Sequence, residues 1–219
     1  MGRFAFCVVL VACGPSEVME PPSAGGGESF DTPSDPYGVV RTRLEQTTDN
    51  TIAPAMSLAC SDYNGTKENS WYRVFSLKQF GVVGPFTVHR VNFGVQTAIG
   101  EQRVKVSIGT YAGDAGAVEL DPAKIDVLGL TTIGVPEGKN ELMQAAFPAI
   151  EVPADSNLVV EIKTEGWGDG RYFYLAATQS PETVPGYLRA PTCNTPNPLM
   201  TSALGYSQTH LIIAVSGAY

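Results

Sequence analysis

Histidine is nearly missing from this chain: His89 and His210 are the only two in 219 residues. Hydrolysis through a serine or cysteine nucleophile needs a neighbouring base, usually histidine, oriented by a third group. Any such chemistry would therefore fall on these two residues. His89 stands between Val88 and Arg90 and His210 precedes an apolar run, so both read as structural side chains within strands. Ser207 in "GYSQT" is not a nucleophile elbow, because Thr209 stands where the second glycine is needed. The sequence has no HExxH, no phosphate loop, no glycine-rich dinucleotide turn and no CxxC. Basic charge is scarce as well: 14 Lys and Arg face 22 Asp and Glu, a formal charge of -8. That balance makes nucleic acids and anionic lipid surfaces poor partners. Long hydrophobic runs are also lacking. The longest near the start, Phe4 to Ala12, would span about 14 Å as a helix, under half of a bilayer core of roughly 30 Å, so it is no transmembrane anchor.

What the N-terminus does have is the layout of an export signal. Arg3 supplies a basic start, Phe4 to Leu10 an apolar region, and Ala12 a small residue before Cys13. Leu10-Val11-Ala12-Cys13 resembles the lipobox of bacterial lipoproteins, in which the cysteine is acylated and becomes the first residue of the mature chain. The resemblance implies a signal peptide over 1–12 and a lipid bilayer as partner through Cys13. Burial of about 0.8 kcal/mol per methylene makes one acyl chain a marginal anchor and several a lasting one. Gly14 stands where an aspartate marks retention at the inner membrane, which is similar to lipoproteins sent to an outer membrane. Cys7 would leave with the signal and Cys13 would carry lipid, so Cys60 and Cys193 remain in the exported part. An even pair in an oxidising compartment implies a disulfide, with two buried free thiols as the alternative.

Residues 13–47 are acidic, broken by proline and without periodicity, and are expected to form a disordered linker that cannot bury enough apolar surface to offset its ordering entropy. Its sole patterned piece is Val39 to Leu44, a candidate edge strand. From 48 to 219 the pattern has period two. Trp71, Arg73, Phe75 and Leu77 share one face of "NSWYRVFSL", and Val91, Phe93 and Val95 share a face of "VHRVNFGV". "RVKVSIGTY", "NLVVEIKT", "RYFYLAAT" and "THLIIAVSG" supply further strands rich in β-branched and aromatic residues. Turn signals lie between them, among them Gly84-Pro85, Pro136-Glu137-Gly138 and Gly168-Asp169-Gly170. The expected fold is therefore all-β, an antiparallel β-sandwich or jelly roll. The single stretch suited to a brief helix is Leu77 to Phe80.

A second resemblance spans nearly all of 48–219. Cys60, Asn69 to Phe75, Val91 to Val95, Val152-Pro153-Ala154 with Leu158 to Ile162, Tyr187 to Cys193 and His210 to Ile212 are similar to the jelly-roll-like β-sandwich domains of bacterial secreted and surface proteins. The resemblance implies that Cys60 pairs with Cys193, and it brings no catalytic constellation. The chain departs from the pattern in "AGDAGAVELDPAKIDVLG" and "TEGWGDGRY".

Candidate binding residues come from those departures and from one acidic turn. Trp167 sits between glycines beside Asp169 and Arg171, an aromatic face with flanking hydrogen-bonding groups of the kind that stacks on a sugar ring. A tryptophan plugging the end of the sandwich is the competing reading. Asp62, Asn64 and Glu68 offer oxygen ligands for calcium, the one cofactor considered, without EF-hand spacing. The carboxylates of Asp114, Glu119 and Asp121, and of Glu165 and Asp169, read as solvated turns rather than as a catalytic pair. The expectation is a non-enzymatic lipoprotein at a bacterial outer membrane, binding a polysaccharide or an envelope protein. A structural spacer and a hydrolase are the alternatives. Mass spectrometry of the mature polypeptide should find a chain beginning at acylated Cys13; one beginning at Met1 with a bare thiol at 13 would remove the anchor and the envelope location together.

Overall fold

The computed structural model describes residues 41–166 and 168–219. The expected signal 1–12, the lipid site Cys13, linker residues 13–40 and Trp167 lie outside the described residues. The alternating sequence becomes strand almost throughout. In chain order these are β1 (Arg41–Leu44), β2 (Ser61–Asp62), β3 (Gly65–Thr66), β4 (Glu68–Ser76), β5 (Phe86–Ile99) and β6 (Gln102–Tyr111). Next come β7 (Ile125–Val135), β8 (Gly138–Val152), β9 (Asn157–Glu165), β10 (Tyr172–Leu175) and β11 (Ala177–Thr178). The last are β12 (Tyr187–Ala190), β13 (Thr195–Met200), β14 (His210–Leu211) and β15 (Ile213–Ala218). Two 3-10 turns, Pro122–Lys124 and Pro191–Cys193, each carry proline in the first turn. At Leu77 to Phe80 the chain makes a turn and not a helix: Gln79 and Phe80 bond back to Ser76 and Leu77, and Val82 then folds onto Leu77.

The strands build two main antiparallel sheets, as a β-sandwich requires, and two short two-stranded ones, β11-β14 and β2-β3. One main sheet has six strands in the order β13-β12-β4-β9-β6-β7; the other has five, β1-β15-β5-β10, with β8 on the opposite side of β5. Inward residues at period two interlock between them: Trp71 and Phe75, Val91, Phe93 and Val95, Val104, Val106 and Ile108, and Leu158, Val160 and Ile162. Strand β1 pairs along its whole length with β15, so the sandwich takes in residues from Arg41, earlier than the boundary at 48. The outward face of β4 is buried too. Tyr72, Val74, Val159 and Tyr187 form a second apolar cluster with Tyr111 and Leu120, capped by the connection from β6 to β7. That connection is pinned by bonds from Leu120 N to Pro198 O (2.9 Å), Met200 N to Val118 O (2.9 Å) and Tyr187 Oη to Ala115 O (2.7 Å).

Strand β5 is longer than either partner on one of its sides. Strand β15 pairs with it from Thr87 to Phe93 and β10 from Val95 to Ile99. The handover falls at Gly94, whose N–H donates to Ile212 O (3.1 Å) and whose carbonyl accepts from Ala176 N (2.9 Å). A Cβ at Gly94 would lie 2.7 Å from Ala176 Cβ, closer than carbon atoms approach, so the crossing needs glycine there.

Arg73 shares the inward face with Trp71 and Phe75 and is fully buried. Its Nη1 lies 2.8 Å from Glu182 Oε2, an ion pair without hydrogen-bond alignment. The guanidinium donates to Val184 O (2.5 Å) and twice to Leu211 O (2.6 and 3.2 Å). Burial lowers its pKa and the Glu182 carboxylate opposes that shift.

Cys60, just before β2, is bonded to Cys193 in the turn between β12 and β13, with Cα atoms 5.8 Å apart. Buried Asn69 holds Cys60 in place, accepting from its N–H (2.7 Å) and donating to its carbonyl (3.0 Å). The bridge closes a span of 133 residues, for which chain entropy gives a ceiling near 5 kcal/mol. Replacing both cysteines by serine should lower unfolding free energy by about 2–5 kcal/mol in urea titrations; a loss under about 1 kcal/mol would show that the bridge does not restrain the unfolded chain.

Candidate functional site

Strand β10 sends Phe173 and Leu175 into the core and Tyr172 and Tyr174 outward. Phe173 is locked against Trp71, ring centroids 5.6 Å apart, which fixes the strand that carries the tyrosines. The two outward rings lie nearly parallel, 13° between planes and 6.1 Å between centroids. Their hydroxyls are tied to the β2 segment: Tyr172 Oη donates to Asp62 O (3.1 Å), and Tyr174 Oη shares a hydrogen bond with Ser61 Oγ (3.2 Å).

Register sets what lies beside them. Tyr174 is opposite Thr97, which is opposite Lys139 on β8, and Tyr172 is opposite Ile99. Pro54, Ala55 and Ser57 rise as a wall over this face and, with Gln96 and Asn140, complete a cleft of about 470 Å³. The wall is fastened twice. Ala53 N donates to Ala177 O (2.9 Å) and Ala177 N to Met56 O (3.1 Å). Gln96, its amide assigned from the surrounding bonds, accepts from Ala55 N (2.7 Å) and Met56 N (2.9 Å) and donates to Ser57 Oγ (2.7 Å). Ala55 and Asn140 both hold left-handed backbone, φ 58° and 55°. Asparagine adopts that conformation readily, whereas alanine does so at a cost, and such strain concentrates at ligand sites.

The lining offers two aromatic rings, hydroxyls, amides and one ammonium, with no carboxylate, imidazole or thiol among the described residues. Stacking and hydrogen bonding are what it can do. A volume of this size suits a small ligand or a short stretch of polymer.

None of the described residues singled out from sequence lines the cleft. Asp169 occupies an exposed turn at φ 69°, joined by Gly170 N to Asn64 O (2.9 Å). Arg171 bonds through its carbonyl to Thr66 N (3.0 Å), and its stem lies against Gly100. Trp167 is outside the described residues. The two carboxylates among the calcium candidates are engaged by other groups. Asp62 accepts from Asn64 N (2.9 Å) and pairs with Lys67 (2.8 Å), which holds its carboxyl below the usual range. Glu68 pairs with Arg189 (2.6 Å) and Lys163 (3.3 Å). Among the described residues no group of three or more His, Cys, Asp or Glu is placed to hold a metal. Asp114 and Asp121 accept from Gly116 N and Ala123 N within their own turns, Glu119 accepts from Asn197, and Glu165 pairs with Lys105. His89 is exposed on β5. Both ring nitrogens of His210 face carbonyl oxygens, of Ser180 at 2.6 Å and Ser207 at 3.1 Å, leaving neither toward a hydroxyl.

No protein-family model matches the chain, and no curated protein sequence does. Among solved structures it is similar to the cysteine protease and lectin-like domains of Cwp84, a surface layer associated protein of Clostridium difficile, at TM-score 0.48 and 8% identity. The match covers 69% of this chain and 32% of that one, so this chain spans about a third of that structure. At this level of similarity nothing about ligand or activity passes from one to the other.

The Glu68 cluster gives a test by pH. The hydrogen bond from Arg189, then the contact with Lys163, holds the Glu68 carboxyl below its ordinary value of 4.5. A lowered folded-state pKa contributes stability above the unfolded value and loses it as pH falls through the folded one. Glu68→Gln should therefore destabilise by no more than about 1 kcal/mol at pH 7, given its partial exposure. The gap between variant and wild type should close as pH falls below 4.5, read by chemical denaturation across the acid range; a gap that is constant with pH would show that the ion pairs are not its source.

Proposed function

We propose that this chain is a non-enzymatic carbohydrate-binding β-sandwich, held at a bacterial envelope by acylation of Cys13. The observation that carries the saccharide reading is the cleft on the five-stranded sheet, with near-parallel Tyr172 and Tyr174 beside Thr97, Asn140 and Lys139. A sugar ring has apolar C–H faces and a rim of hydroxyls. Aromatic rings take the faces, and amides, hydroxyls and an ammonium take the rim. The absence of a carboxylate pair or an imidazole from the described lining favours binding over hydrolysis at this place. The envelope location rests on the lipobox-like Leu10 to Cys13 and on the acidic stretch that follows.

Binding to a glycan array, followed by calorimetry on the strongest hit, tests the reading. Tyr172→Ala and Tyr174→Ala should each weaken binding by roughly 3–10-fold, the scale of one aromatic stacking contact. The matching phenylalanine variants keep the rings and should bind nearly as wild type. Thermal melts check that each variant is folded. Binding indifferent to loss of both rings, or no glycan bound at all, would remove the saccharide reading.

A further inference from the structure

We infer that the saccharide taken by this cleft is acidic, a sugar chain in which a carboxylate or sulfate substituent on one ring meets the ammonium of Lys139. This deepens the carbohydrate reading and rests on it. Lys139 carries the only formal charge among the residues lining the cleft. Four of the other five lysines face carboxylates: Lys67 meets Asp62, Lys105 meets Glu165, Lys124 meets Asp121 and Lys163 meets Glu68; Lys78, exposed in the turn after β4, lies outside the cleft lining. Among the described residues no carboxylate comes within 4.0 Å of the Lys139 ammonium. Its acidic neighbours in sequence are turned to other groups. Glu137 accepts from Gly100 N (3.1 Å), and the Glu141 carboxylate folds back over Gly138.

The position suits an equatorial substituent. Tyr174, Thr97 and Lys139 form one row across three adjacent strands. Two strand spacings of about 4.8 Å put the lysine backbone roughly 10 Å from that of the tyrosine. A ring stacked at the tyrosine end would thus have its edge, where a uronate carboxylate or sulfate ester projects, directed toward the lysine end. Asn140, in left-handed backbone beside Lys139, ends the regular pleat at that rim. Lysine is a compact, freely rotating point charge rather than a planar fork, so carboxylate and sulfate are accepted alike.

The remainder of the molecule limits how much negative charge the ligand can bear. At a net charge of -8 the chain repels a densely charged polyanion at a distance, while one local ammonium attracts one local anion. The ligand that fits both is a chain with acidic rings spaced among neutral ones.

The test uses the full chain and an array of neutral, uronate-bearing and sulfate-bearing oligosaccharides, then titration calorimetry with the best acidic hit and its neutral counterpart, the methyl ester or the desulfated form. Wild type should bind the acidic form about 5–10-fold more tightly. Lys139→Gln should abolish that preference, weakening the acidic form more than the neutral one, and Lys139→Arg should retain it. Lys139 is exposed, so these variants should melt as wild type does. A uronate hit and a sulfate hit each support the inference and identify the substituent. Equal binding of charged and neutral forms, or a preference that survives Lys139→Gln, overturns it while tyrosine-dependent binding leaves the saccharide reading intact. No binding to any member by wild type overturns both.

Discussion

A guanidinium sits inside the sandwich, and its neighbours are arranged around the need to satisfy it. An unpaired buried charge costs several kcal/mol even after relaxation, so Arg73 requires a carboxylate and several carbonyls at fixed positions. They come from far along the chain: Glu182 and Val184 from one connection, and Leu211 from β14. Strand β14 pairs with β11, placing Leu211 opposite Ala177. Ala177 in turn accepts from Ala53 and donates to Met56, which are the roots of the wall over the cleft. A charge in the core and a wall on the surface are thus joined through one short run of backbone bonds. Gln46 strengthens the same region, donating to Val74 O while its carbonyl lies 3.5 Å from Arg73.

The cleft also depends on the division of labour along β5. Where β15 ends and β10 begins, the register shifts between Tyr174 and Leu175, and Gln96 becomes an extra residue on β5. Such a bulge twists a strand and redirects a side chain. Here it turns Gln96 toward the backbone of residues 55 and 56, while Val95 and Ala98 stay in the core. A regular β5 paired with one long partner would have no handover at Gly94 and no spare amide to hold the wall.

Period two made most of this fold readable from the chain, because the inward faces of β4, β5, β6 and β9 are almost wholly apolar and a shift by one residue would expose them all. It even placed Arg73 on the face of Trp71 and Phe75. What it could not convey is that Glu182 waits there, 109 positions later, since the pairing exists only after the sheets have closed. The cleft was harder for a related reason. In "RYFYLAAT" aromatics fall on both faces, and one face of an alternating strand must be outward; that was the available signal for Tyr172 and Tyr174. Which face is outward, and that residues 54–57 fold over it, depends on long-range pairing. The glycine-rich setting of Asp169 and Arg171 marks a turn, and the turn leads into the aromatic strand without lining the cleft. In the acidic turn from Asp62 to Glu68 the carboxylates acquire cationic partners that the local sequence does not reveal: Lys67 for Asp62, and Arg189 and Lys163 for Glu68.

The two outer faces of the sandwich are not equivalent, and the difference bears on where the proposed site lies. On the six-stranded sheet the connection over residues 112–124 covers the apolar half, and the rest is a lattice of paired groups: Tyr72 and Ser107 donate to Glu161, Lys105 meets Glu165, and Glu68 joins Lys163 to Arg189. Most polar groups there already have partners, Ser70 Oγ being buried without one, so a ligand would in most places have to break a contact to make one. Burial and the Glu161 carboxylate raise the pKa of Tyr72 accordingly, keeping it a neutral donor. On the five-stranded sheet the tyrosine hydroxyls are tied at their tips, which restrains the rings without covering them, and Lys139 has no carboxylate of its own among the described residues. Restrained aromatic faces lose little freedom when a ligand stacks on them, and an unpaired cation needs no partner displaced. The outward groups that the fold has oriented but not consumed therefore lie on the five-stranded sheet, where the proposed site is.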